Sequence, residues 1–155
     1  MQLRQTSFHF FGIPAPILAM GLIALWGAPL FFDGLSAIGL CHANGDIHWI
    51  PSVSALLFGM VGVVGGCLGW FANAFIVQGV GLLLFGRSPS FVSSVCGVIL
   101  ALTSFYPATL PIDMIGREGT VCRWGPGFWM WLSVSLLLAL IGLVGHSMKT
   151  KKQGS

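Results

Sequence analysis

Few side chains in this 155-residue chain can do chemistry, and most of them fall in two short polar stretches. The first reads Cys41-His42-Ala43-Asn44-Gly45-Asp46-Ile47-His48-Trp49. Asn44-Gly45 favours a turn, because both residues tolerate left-handed backbone angles. A turn there brings Cys41, His42 and His48 within reach of one another. A thiolate with two imidazoles suits zinc or copper. The set lacks the C-x-x-C or H-x-x-x-H spacing that marks a metal site. A solvated turn with histidines at a membrane interface is the simpler reading, and no cofactor is expected.

The second stretch covers 113–126 and carries Asp113, Arg117, Glu118, Cys122 and Arg123. Cys41 and Cys122 fall one in each stretch, whereas Cys67 and Cys96 lie inside apolar runs. An oxidising compartment permits the first two to pair. Such a bridge closes a loop of about 80 residues, for which chain entropy gives about 4–5 kcal/mol. A redox-active pair is the competing reading.

What positions these stretches is strongly apolar. The chain is 55% hydrophobic and 7% charged, against about 25% charged for an ordinary soluble domain. Four runs, 12–32, 53–85, 91–112 and 127–145, contain no Asp, Glu, Lys, Arg or His. About 20 apolar residues match the hydrocarbon core of a bilayer. The expected fold is therefore an all-α membrane protein. Four transmembrane helices, at about 12–32, 53–77 with an extension to 85, 91–112 and 127–145, form one bundle in a single integral-membrane domain over 1–155. The second helix is unusually long. The outer loops are 33–52 and 113–126.

Charge sets the orientation, because basic residues near spans stay cytoplasmic. Arg4, Arg87, Lys149, Lys151 and Lys152 flank one side; Arg117 and Arg123 flank the other, with all four acids. The expectation is a bacterial-type inner membrane with both termini inside.

Gly62, Gly65, Gly66 and Gly69 repeat at three- and four-residue spacing, which lets helix backbones approach closely in lipid. Trp49, Trp124, Trp129 and Trp131 read as an aromatic belt at the outer interface. Asn73 and Gln78, the most polar residues within the runs, are expected to hydrogen-bond to neighbouring helices or to sit at an interface.

These features exclude more functions than they select. Ion-coupled transporters place ionisable groups inside the membrane, and the runs have none. The only basic cluster is the Lys149–Lys152 tail, which gives no nucleic-acid-binding face. The leading expectation is a small non-catalytic membrane protein acting by helix packing and outer-loop contacts. It would be an accessory subunit, or an inhibitor or immunity-type protein of a membrane partner. Its partners would be the lipid bilayer and either a membrane protein or a second copy of the chain. The enzyme alternative is a thiol–quinone or other membrane redox enzyme using Cys41 and Cys122, although the chain has no closely spaced cysteine pair.

Overall fold

The structure, a computed structural model, describes residues 8–32, 35–41, 45–58, 68–105, 109–111 and 118–153. It is a mixed α/β fold rather than the all-α bundle of four spans expected from the apolar runs. Two small antiparallel sheets accompany the helices. Among the described residues only one helix, over Pro126–Thr150, is long and apolar enough to cross a membrane.

Each apolar run departs from a full span for a local reason. Run 12–32 begins with a hairpin, β1 (His9–Phe10) paired to β2 (Ile13–Pro14). Its two-residue turn holds Phe11 at φ 49 and Gly12 at φ 82. Tight hairpins ask for positive φ at both central positions. Glycine takes that angle freely, whereas an L side chain there costs about 1–2 kcal/mol. Helix α1 (Ala15–Phe31) starts only after the hairpin, with Pro16 in its first turn. Its 17 residues span about 25 Å at 1.5 Å per residue.

Run 53–85 is not one long helix. Helix α2 (Ser52–Phe58) is short, and a 3-10 turn at Gly69–Phe71 leads into α3 (Ala72–Leu84). Residues 59–67, which include Gly59, Gly62, Gly65 and Gly66, lie outside the described residues. Run 91–112 forms α4 (Phe91–Leu102) and a 3-10 turn at Thr103–Phe105. Pro111 lies in the last part of the run, and a proline in a helix interior removes a backbone hydrogen bond. The run then ends in a strand, β5 (Thr109–Pro111), instead of a helix. Run 127–145 is the reverse case. Here α5 (Pro126–Gln153) continues past the apolar residues into the lysine tail.

The helices alternate in direction and pack around α5. One cluster of buried residues joins Ala15, Ala19 and Leu22 of α1 to Ile76, Val80 and Leu83 of α3 and to Val134, Leu138 and Ile141 of α5. A second joins Ala72, Ala101, Phe128 and Leu132. Many large apolar side chains instead point outward, including Ile17, Met20, Val77, Val92, Ile99 and Leu140.

The second sheet caps the end of the bundle where α1 finishes and α5 begins. Its strands are β3 (Ile38–Cys41), β4 (Ile47–Ile50), β5 and β6 (Glu118–Trp124), in the order β4-β3-β6-β5. It joins the two stretches expected to be outer loops. Gly127 fixes it to α5: its N–H donates to the Ser36 carbonyl at 3.1 Å. A Cβ at Gly127 would collide with Ser52 Oγ and the Leu35 carbonyl.

Candidate functional site

The side chains with chemical potential concentrate in this sheet and in the aromatic layer beneath it. Cys41 and Cys122 are bridged, with their Cα atoms 5.8 Å apart and 81 positions apart in sequence. The register explains how they meet. On β3, Gly39 pairs with Arg123 and Leu40 with Val121, so the ladder shifts between Gly39 and Leu40. Cys122 is the extra residue of a β-bulge, which re-aims a side chain. Its sulfur lies 3.5 Å from the Gly39 carbonyl; once bridged it carries no proton, so this is a contact and not a hydrogen bond.

The two faces of the sheet differ. Leu40 is fully buried. Its immediate neighbours along β3, Gly39 and Cys41, face the other way. On that outer face Gly39 pairs with Trp49 across to β4 and with Arg123 across to β6. A Cβ at Gly39 would lie 3.0 Å from Ile47 Cγ2 and 3.3 Å from Trp49 Cζ3. The absence of a side chain lets the Trp49 indole lie across β3. Trp49 remains 41% exposed, and Arg123 is exposed.

Under the sheet, aromatic rings form a continuous cluster. Trp124 stacks obliquely on Phe128 with centroids 4.3 Å apart. Phe105 meets Trp124 at 5.3 Å and Phe128 at 5.2 Å, both edge-on. Trp129 joins at 5.9 Å from Phe105 and is half exposed. Such ring pairs contribute about 0.5–1.5 kcal/mol each beyond area burial.

Trp131 has a different role from the other three tryptophans of the expected belt. It turns inward, and its Nε1 donates to Asn73 Oδ1 at 2.9 Å. Trp26 Nε1 donates to the same oxygen at 3.3 Å, and Asn73 Nδ2 donates to the Trp70 carbonyl at 3.0 Å. Asn73 therefore ties α1, α3 and α5 together at one half-buried point. Trp70 extends the network by donating to the Leu56 carbonyl at 2.7 Å. Gln78 lies on the exposed side of α3, where its Oε1 accepts from Ser93 Oγ at 2.6 Å.

The remaining candidates are scattered. His48 is exposed on β4, paired with Leu40, and the bridge removes the Cys41 thiolate from any metal set. His42 lies outside the described residues, as do Gly62, Gly65, Gly66, Asp113 and Arg117. No group of three or more metal-ligating side chains occurs among the described residues. Gly69 is buried, and a Cβ there would strike Ser104 Oγ, so this glycine allows close approach to the end of α4. The sheet itself was missed by sequence reasoning. Its signal was present: two short apolar runs, IGLC and IHWI, flank the Asn44-Gly45 turn, the pattern of a hairpin. The chain matches no protein-family model, no curated protein and no solved structure.

Proposed function

We propose that this chain is a small, non-catalytic membrane protein that acts by presenting its disulfide-clamped sheet to a membrane-protein partner, as an accessory subunit or as a blocking protein. Helix α5 crosses the bilayer, and the shorter apolar helices α1, α3 and α4 pack beside it in the hydrocarbon. One observation carries the membrane reading: large apolar side chains cover the outside of the helices as well as filling their core. Small residues such as Ala15, Ala19, Ala72 and Ala101 are buried, while Ile17, Met20, Val77, Val92 and Ile99 face outward. In lipid, helices associate over small residues and leave large apolar side chains for the acyl chains.

Two independent indicators orient it. A disulfide belongs in an oxidising compartment, which puts the sheet outside. The other end of α5 carries Lys149, and basic flanks stay cytoplasmic. The location proposed is a bacterial-type inner membrane, with the β1–β2 hairpin and Lys149 on the cytoplasmic side. The outer sheet face then offers Trp49 and Arg123, residue types enriched where partners bind.

The test is co-purification from native membranes in mild detergent under non-reducing conditions. Wild type is compared with a Trp49→Ala, Arg123→Ala variant. A stoichiometric partner retained by wild type and lost by the variant supports the proposal, provided that the variant keeps its disulfide. Equal recovery by both proteins removes the sheet face from the account. Mixed-redox cysteines with bound quinone and no partner would replace it with the redox enzyme.

A further inference from the structure

The end of the bundle opposite the sheet carries a feature that its packing does not require. The β1–β2 hairpin is held there by the Phe8 N–H, which donates to the Gly86 carbonyl at 3.0 Å, while the Ala15 N–H returns to Phe8 at 3.1 Å. The last turns of α5 meet the same linker: a Cβ at Gly145 would lie 2.6 Å from Ser88 Cβ and 3.6 Å from the Phe8 ring. The base of the hairpin, the α3–α4 linker and the last turns of α5 thus converge.

At the tip of the hairpin seated on this junction, Phe11 occupies the left-handed region, φ 49, and is 86% exposed. An aromatic residue gains nothing from such an angle, and asparagine or glycine would fit the turn better. Strain held at an exposed side chain points to a role for that side chain. Phe85, 79% exposed, lies beside the same linker. Among the described residues, the Lys and Arg side chains at this end are Arg87 and Lys149, both exposed. The acidic positions Asp46, just before β4, and Glu118, the first of β6, lie at the far end with the sheet.

We infer that this end is a binding surface for anionic phospholipid headgroups, with Phe11 and Phe85 inserted among the upper acyl chains and Arg87 and Lys149 on the phosphates. The inference rests on the membrane reading above and deepens it by naming the lipid class. The charge sign selects anionic over zwitterionic headgroups, because each Lys or Arg near an anionic surface strengthens binding about fivefold. The two exposed rings supply apolar insertion, so the surface combines the two signals that stable interfacial anchoring needs.

The experiment uses the full chain in neutral detergent, titrated with short-chain phosphatidylglycerol or phosphatidylcholine and read by native mass spectrometry. Wild type is expected to retain phosphatidylglycerol over phosphatidylcholine. Arg87→Gln with Lys149→Gln should lower that preference by about fivefold for each cation removed. Phe11→Asn should keep or raise the melting temperature, since asparagine tolerates the turn, and yet reduce retention of both lipids. Equal retention of the two lipids by wild type overturns the inference and needs no variant to be folded. Unchanged lipid binding in Phe11→Asn, or a lowered melting temperature with binding intact, also overturns it by making Phe11 a packing residue. Wild-type chain that stays dispersed in water without detergent would instead sink the membrane reading beneath it.

Discussion

Replacing Asn73 with leucine tests whether one amide fixes the relative positions of three helices. The side chains are close in size, so the substitution removes polarity with little change in volume. It strands two indole donors, Trp131 Nε1, now 2.9 Å from Asn73 Oδ1, and Trp26 Nε1, now 3.3 Å from it. A net hydrogen bond contributes about 0.5–1.5 kcal/mol, and an orphaned buried donor costs about 1–3 kcal/mol. Cross-helix bonds in membrane proteins average lower, about 0.6 kcal/mol. The shorter Trp131 bond should carry most of the effect, and the two together give an expected loss of about 2 kcal/mol. The assay is reversible unfolding in detergent, followed by tryptophan fluorescence, as a double-mutant cycle with Trp131→Phe. In the wild-type background Trp131→Phe should cost about 1 kcal/mol more than in the Asn73→Leu background. Equal costs in both backgrounds, or an Asn73→Leu protein as stable as wild type, would refute the hub.

Two further outcomes follow from the sheet. Cys41→Ser with Cys122→Ser should lower stability by about 2–5 kcal/mol, and limited proteolysis should then cut near β3 and β6 while α5 stays protected. Gly39→Val should cost about 1–3 kcal/mol by overpacking, because the new side chain starts 3.0 Å from Ile47 Cγ2 and 3.3 Å from Trp49 Cζ3. Trp49 fluorescence should shift with it; an unchanged spectrum and unchanged stability would mean that the indole does not lie across Gly39.

The sequence made the helices legible only where nothing interrupts an apolar run. Run 127–145 has no proline and only Gly142 in its interior, and it forms the longest helix among the described residues, α5. Runs 53–85 and 91–112 read as continuous by hydropathy alone, yet a 3-10 turn at Gly69–Phe71 interrupts the first and the second passes into β5. Hydropathy measures what a segment can be surrounded by, whereas helix length depends on backbone preferences. The Cys41–Cys122 pairing was legible because only these two cysteines fall in polar stretches. The sheet around it was not read, because strands of four residues carry too little periodicity to stand out. Asn73 stood out as a polar residue in an apolar run, but the two indoles that converge on it come from positions 47 and 58 residues away. No local pattern announces that convergence.

In the proposed topology α5 crosses a bilayer with the sheet outside and Lys149 inside. The most direct measurement labels single introduced cysteines in intact and permeabilised cells with a membrane-impermeant maleimide, in a background with Cys67→Ser and Cys96→Ser. His48→Cys reports the sheet and Thr150→Cys the far end of α5, both at exposed positions. With this topology His48→Cys is labelled in intact cells and Thr150→Cys only after permeabilisation. Labelling of both from the same side would contradict it.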